Sequence, residues 1–288
     1  MILVTGAAGQ VGAALVRELQ ATGHEVIATD IERIQAGNSV RCDLRSDQDV
    51  AKLFGAQRFS TVVHLAAVLA TAFRSNPLTG GEVNLSATIR LLQASLASGV
   101  RRFVFGSSAA VYGNFTRPRC TETADASPDD AYGAAKLAIE RILELISASH
   151  SMECVSLRVA RVLGPGARKT GSLWRSQIFE RANSDSNHLE IPFAPDARLS
   201  VVHVDDLAGM FRVLVEARSV PSRTYNTPAE VVRADEVGRL AEEANGWRVS
   251  LGTSEAGPEI DGSRFVKDFG FVPRSLAEHV RQSLTKEQ

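Results

Sequence analysis

Tyr132 and Lys136 stand four residues apart in the alanine-rich stretch AYGAAKLAIE, residues 131–140. Four residues is close to one helical turn, so both side chains leave the same face and reach a common point. A phenol with an ordinary pKa near ~10 is a poor proton carrier at neutral pH, but an ammonium one turn away favours its phenolate. Many exposed helices carry such a pair without chemistry, so its meaning depends on what else the chain supplies. Ser108 lies in RRFVFGSSAAVYG (101–113), just past an apolar strand whose carboxyl end is where open α/β sheets bind ligands. Its neighbour Ser107 reads as a turn cap. Serine, tyrosine and lysine beside a dinucleotide make a proton-transfer set for hydride chemistry at a C–OH or C=O centre.

The dinucleotide is signalled at the other end of the chain. TGAAGQVG places Gly6, Gly9 and Gly12 between the strand MILVT and a helix starting near Gln10. Glycine permits the tight turn, lets backbone N–H groups approach a pyrophosphate and allows close helix–strand packing. The helix N-terminus adds the positive end of its dipole. Asp30 closes the second strand, 24 residues after Gly6. A carboxylate there accepts from ribose hydroxyls and repels a 2′-phosphate, which favours NAD over NADP. Arg33 nearby reads as a solvated charge.

These groups need a frame to bring them together, and the chain alternates strand and helix through its first half. MILVT, EVIAT, SVRCDL, STVVHLAA, RRFVFGSS and CVSLRV read as strands, and the helices between them imply an α/β fold with a doubly wound parallel sheet. Beyond Gly164 the rhythm loosens into a smaller C-terminal substrate lobe. The expected division is a dinucleotide-binding domain over 1–163, with 201–227 returning to it, and a lobe from 164–200 and 228–288. In the returning segment Asp205 is expected to cap a helix. With 288 residues, 23% of them charged, and a net charge of −1, the chain has no footprint for nucleic acid or an anionic membrane. Its apolar runs are too short to span a bilayer. MILVTGAAG enters a strand at once, with no basic region or cleavage site, which argues against a signal peptide. Cys42, Cys120 and Cys154 are scattered without metal-ligand spacing, so no metal is expected and reduced thiols in a cytoplasmic protein are.

The ordered set TGAAGQVG, Asp30, CDL with Asp43, HLAA (64–67), VN (83–84), SSAAVYG, YGAAK, LRVARVLGPG and VVHVDDLA resembles the extended short-chain dehydrogenase/reductase family, its NAD-dependent epimerase/dehydratase group. The resemblance runs over nearly the whole chain. It implies Ser108, Tyr132 and Lys136 as catalytic, with Tyr132 and Lys136 also touching the cofactor. It places Gln10 and Val11 with the three glycines at the pyrophosphate, Asp43 and Leu44 beside the adenine, and Leu65, Ala66 and Ala67 along the cofactor groove. Asn84 falls where family members support the site, while His203, Asp205 and His64 read as architectural and His24 as a surface residue. A homodimer through the helices of Glu82 and Tyr132 is also implied.

The chain departs from the family in two places. Arg161 stands where nucleotide-sugar epimerases carry an asparagine that contacts phosphate, and only 38 residues (165–202) separate Gly164 from His203. Both favour a small polar substrate, such as a sugar acid or hydroxy acid, whose anionic group Arg161 and Arg168 would hold bidentately. The leading expectation is therefore an NAD-dependent oxidoreductase acting on a secondary alcohol or ketone. The alternatives are a nucleotide-sugar epimerase with a closed redox cycle and a non-catalytic NAD-sensing regulator.

The Asp30 reading has a direct consequence. NAD should bind more tightly than NADP, and Asp30→Ala should narrow the gap; side-by-side titration of both cofactors checks this, and equal affinities in the unmodified protein defeat it.

Overall fold

The computed structural model describes residues 1–34, 37–113, 119–166, 173–182 and 187–285. Its first half runs β1 (Ile2–Thr5), α1 (Gln10–Ala21), β2 (Val26–Asp30), β3 (Ser39–Arg41), α2 (Asp47–Ala56), β4 (Thr61–His64), α3 (Ala70–Ser75), α4 (Pro77–Gly81), α5 (Thr88–Ala97) and β5 (Arg102–Ser108). Then come β6 (Arg119–Cys120), α6 (Ala131–Ser149), β7 (Glu153–Val159), β8 (Arg161–Leu163), α7 (Trp174–Gln177), β9 (His188–Phe193), β10 (Arg198–His203) and α8 (Val204–Glu216). The chain closes with β11 (Thr224–Asn226), β12 (Glu230–Arg233), α9 (Ala234–Asn245), β13 (Arg248–Ser254), β14 (Glu259–Ile260), α10 (Ser263–Phe269) and α11 (Leu276–Thr285).

Seven strands form one sheet in the order β3-β2-β1-β4-β5-β7-β11, every pair parallel. β1 and β4 are buried at all four positions, as strands covered on both faces require. Leu15 and Leu19 of α1 and Leu207, Phe211 and Leu214 of α8 cover one face; Leu53 of α2, Leu91 of α5 and Ile139 and Leu143 of α6 cover the other. A third cluster, with Trp174, Ile191, Val237 and Trp247, forms the core of the smaller lobe. The strand order reverses between β1 and β4, so the loops leaving their carboxyl ends diverge and open a crevice, the usual ligand position in such sheets. Cys42, Cys120 and Cys154 are buried and outside any disulfide, and among the described residues no helix is long and apolar enough to cross a membrane.

Three details differ from the sequence pattern. Within the returning segment 201–227, α8 and β11 join the main sheet, whereas residues 201–203 belong to β10, which pairs with β8 and β12 in a separate sheet. The helix expected from Glu82 begins as a π-helical turn, Glu82–Ala87, before α5. Asp205 is not the cap of α8 but lies in its first turn; the His203 ring nitrogen Nδ1 accepts the Asp205 N–H at 3.2 Å instead.

Ser107 is also not a turn cap. It is buried and donates to Glu140 of α6, whose carboxylate takes a two-pronged contact from Arg158 of β7 (Nη2–Oε2 2.7 Å, Nε–Oε1 3.0 Å). Arg158 Nη1 donates to the Tyr112 hydroxyl at 2.9 Å, and that hydroxyl donates to Asn226 Oδ1 at 2.7 Å. Glu140 is 1% and Arg158 3% exposed, so each depends on the other for compensation. Glu140→Ala should therefore destabilise the fold by about 3–5 kcal/mol. Urea unfolding measures it, and a loss below about 1 kcal/mol, the worth of a surface pair, would show that the network is dispensable.

Candidate active site

The glycine turn after β1 is shaped by close backbone approach. Gly6 has φ +70°, and a Cβ there would sit 2.5 Å from the Ala66 nitrogen across the crevice. A Cβ on Gly12 would run into the Gly6 carbonyl and come within 2.8 Å of Ala7 Cα. The Gly9 N–H donates to Gly6 O at 3.0 Å, and Gly9 caps α1 with no side-chain bond to its first-turn N–H groups. Those donors, at the positive end of a twelve-residue helix, suit a pyrophosphate. Val11 packs partly buried on the core beneath. The Gln10 amide reaches the other way, donating to the Gly164 and Pro165 carbonyls at 2.6 and 3.2 Å, so its backbone N–H is what it presents to a phosphate.

Asp30 ends β2 with its carboxylate fixed by two backbone donors, Ala8 N–H on Oδ2 and Glu32 N–H on Oδ1, both at 3.0 Å. Each oxygen keeps acceptor capacity for a ribose hydroxyl. Asp43 and Leu44 follow β3 directly alongside, since Cys42 N–H bonds the Asp30 carbonyl. The Asp43 carboxylate is gripped by Arg45 (Nη2–Oδ2 2.7 Å), which holds its pKa below the usual range. Across the crevice Leu65, Ala66 and Ala67 are half-buried, and the first two N–H groups share the Thr5 hydroxyl at 3.2 Å. The residues present thus fit a dinucleotide from pyrophosphate to adenosine ribose.

His64 sits behind this wall, 1% exposed, between the Thr5 hydroxyl (Nδ1, 2.7 Å) and the Thr88 hydroxyl (Nε2, 2.9 Å). Thr88 spends its proton on the Asn84 carbonyl, so Nε2 carries the ring hydrogen and Nδ1 accepts. Burial, then the Lys136 charge, pushes the ring down to about 3. It is a neutral packing group, as its position at a strand end suggests. Asn84 clasps the backbone of Val68, accepting its N–H at 2.8 Å and donating to its carbonyl at 2.9 Å, which fixes the loop leaving β4.

The catalytic candidates meet where α6 begins. Asp130 caps the helix by accepting the Gly133 N–H at 2.7 Å. Gly133 packs so tightly on the turn after β5 that a Cβ would strike the Ala110 carbonyl and lie 2.9 Å from Pro128 Cβ. This contact brings Tyr132 to Ser108. The Ser108 hydroxyl acts on the Tyr132 phenol, and Ser108 Oγ accepts the Ala110 N–H at 3.1 Å. Lys136, 4% exposed, donates from Nζ to the Gly106 carbonyl at 2.7 Å and lies 5.8 Å from the Tyr132 ring centre. Burial lowers its pKa to about 8, opposed by Glu140. Tyr132 moves opposite to the sequence expectation. Burial raises it to about 12, the Ser108 hydroxyl lowers it and the Asp130 charge raises it, so without ligand the phenol form is held.

Arg161 lies two residues beyond Val159, the strand partner of Ser108, so its Cα is at most about 7 Å from that strand end. Arg168 lies outside the described residues. His203 stacks on His279 at 3.6 Å, and His279 in turn bonds Asp206 at 2.7 Å. His24 pairs with Glu216 at 2.8 Å on the surface. Asp130, Gly133 and Gly106 are functional positions that the motif pattern does not single out. The signals for the first two were present in DDAYG, an acidic cap and a small residue flanking Tyr132.

Several known proteins share this arrangement. UDP-glucose 4-epimerase 4 of Oryza sativa subsp. japonica is 35% identical over 191 residues, 60% of this chain and 51% of its own length. The chain spans about half the length of the curated relatives it matches. Among solved structures, MoeE5 in complex with UDP-glucose and NAD superposes with a TM-score of 0.85 at 28% identity, covering 99% of both chains. The UDP-glucose 4-epimerase of Thermus thermophilus in complex with NAD gives 0.85 at 26%, over 99% of this chain and 97% of that one. The family model of NAD dependent epimerases and dehydratases matches residues 2–227, from the glycine turn through Ser108, Tyr132 and Lys136 to the edge strand β11. By that match and by its parallel NAD-binding sheet, the chain belongs to the NAD dependent epimerase/dehydratase family.

Proposed function

We propose that this chain is an NAD-dependent dehydrogenase acting at a secondary alcohol or ketone of a small polar, carbohydrate-like substrate. The observation that supports it best is that Ser108, the Tyr132 phenol it acts on and the buried Lys136 ammonium meet at the carboxyl edge of β5. When bound, NAD supplies the hydride acceptor. The chain's own residues handle the proton and the geometry. Ser108, steadied by the Ala110 N–H, orients the substrate oxygen. Tyr132, held as a phenol, is in the state that donates to a carbonyl oxygen, and its phenolate, disfavoured by burial, is a strong base toward an alcohol. Lys136 keeps donors beyond the one given to Gly106 and stands where a nicotinamide ribose would lie.

A second reading is a nucleotide-sugar epimerase that returns the hydride within one cycle. The 35% identical epimerase relative favours it, and so does MoeE5, which is seen with UDP-glucose and matches this chain end to end. That match also weakens the argument from the short segment between Gly164 and His203. Two further parts of the proposal concern setting. Exposed Ile89 on α5 and Leu145 on α6 support a homodimer through those helices, and three buried cysteines outside any disulfide support a reducing cytoplasmic compartment.

The test is turnover with a panel of sugar acids, polyols and UDP-sugars, followed by NADH absorbance and product analysis. The dehydrogenase accumulates NADH; an isomerised sugar without NADH identifies the epimerase. Tyr132→Phe should cut turnover by about 10²-fold or more with NAD affinity and melting temperature unchanged. Near-normal turnover in that variant would assign the proton to another residue.

A further inference from the structure

Among the described residues, two guanidinium groups, one on β8 and one on α7, have no counter-ion. Arg158, Arg102 and Arg45 each pair with a carboxylate at 2.7 Å or less. Arg161 of β8 and Arg175 of α7 do not: among the described residues no carboxylate acts on either, and each has a buried Nε with no hydrogen-bond acceptor. They act on each other instead. Burial, then the Arg175 charge, lowers Arg161 to about 10, and burial lowers Arg175 as well. Aromatic rings cover their faces, with Arg161 Cζ 4.5 Å from the Phe193 ring centre and Arg175 Cζ 6.0 Å from that of Trp174. Ring stacking leaves the guanidinium edges as the hydrogen-bonding part.

Two desolvated like charges cost stability and give nothing back unless an anion compensates them. Their position suggests which anion. Arg161 follows the strand end that pairs with Ser108. The Arg175 carbonyl accepts the Gly164 N–H at 2.9 Å, and the Gly164 carbonyl accepts the Gln10 amide of the glycine turn at 2.6 Å. The backbones of Arg161 and Arg175 therefore adjoin the segment that runs between the Ser108 strand end and the cofactor turn.

We propose that Arg161 and Arg175 together clamp an oxyanion of the substrate, a carboxylate or a phosphoryl group, beside the carbon whose oxygen Ser108 and Tyr132 hold. The clamp rests on the reading of Ser108 and Tyr132 as the reacting centre. Arg175 is the new element: it doubles the charge at the site and explains why Arg161 has no acidic neighbour.

The experiment is calorimetric titration and thermal melting of the purified full chain without NAD, using glucuronate and inorganic phosphate as probes and glucose as the neutral control. At least one anion should bind saturably and raise the melting temperature, and glucose should do neither. Glucuronate binding alone identifies a carboxylate site, phosphate binding alone a phosphoryl site, and either supports the clamp. Arg175→Gln and Arg161→Gln should each weaken the anion by about 10-fold or more, the worth of a lost charged hydrogen-bond contact. Arg175→Lys should recover part of the affinity and serves where the glutamine variant folds poorly. NAD affinity should not change, and the probe-free melting temperature of Arg175→Gln should equal or exceed that of the unmodified protein. Absence of binding by both anions, equal binding of glucose, or unchanged anion affinity in the variants overturns the clamp. NADH formation from neutral alcohols alone would overturn the clamp and keep the dehydrogenase; anion binding without NADH formation from any substrate would do the reverse.

Discussion

The site depends on how α6 is bolted to β5. Three successive residues of the strand meet three residues of the helix spaced four apart. The Gly106 carbonyl takes Lys136, the Ser107 hydroxyl donates to Glu140, and the Ser108 hydroxyl acts on the Tyr132 phenol. Residues 132, 136 and 140 share one helical face, so a single docking geometry satisfies all three contacts. Glu140 sets the far end of that face. Its carboxylate is buried, and the Arg158 fork and the Ser107 hydroxyl take the place of its water. The near end is set by Asp130 at the cap and by Gly133 against Ala110. Between these two anchors Lys136 has little room to move, and Tyr132 stays within reach of Ser108.

How much of this is legible in the sequence follows from how local each cause is. The sheet is legible because buried parallel strands are continuous apolar runs, and β1 and β4 need only four residues each to show it. The glycine turn is legible because only glycine tolerates φ +70° at Gly6 and the close packing at Gly12. The Glu140–Arg158 pair is not. A lone glutamate in a helix reads as a solvated charge, and its arginine lies 18 residues away on another element. Ser107 reads as a cap for the same reason, since its partner is invisible until α6 is in place. The placement of β10 outside the main sheet is decided by pairing with β8 and β12, which no periodicity encodes.

At Tyr132 the pattern argument and the structure differ in the direction of the pKa shift. Spacing puts an ammonium one turn away, and Coulomb attraction alone lowers a phenol pKa. In the structure burial dominates for both groups, and the Asp130 charge at the cap also raises the phenol while the Ser108 hydroxyl lowers it. Lys136 directs one proton to Gly106 rather than to the phenol. The pair therefore holds a neutral phenol beside a lysine whose own pKa has fallen to about 8.

Charge compensation also separates the scaffold of this protein from its ligand surface. Every deeply buried charge in the bolt between α6, β5 and β7 has its partner within the protein: Glu140 with Arg158, and Lys136 with Gly106 and the Glu140 field. The crevice is built the opposite way. The first turn of α1 lacks a side-chain cap, Asp30 keeps acceptor capacity beyond its two backbone donors, and among the described residues Arg161 Nε and Arg175 Nε have no acceptor. A fold selected for stability alone would satisfy those groups internally, because unpaired buried polarity is costly. Asp30 and the first turn of α1 lie at the carboxyl ends of β2 and β1, beside the point where the strand order reverses between β1 and β4 and the crevice opens.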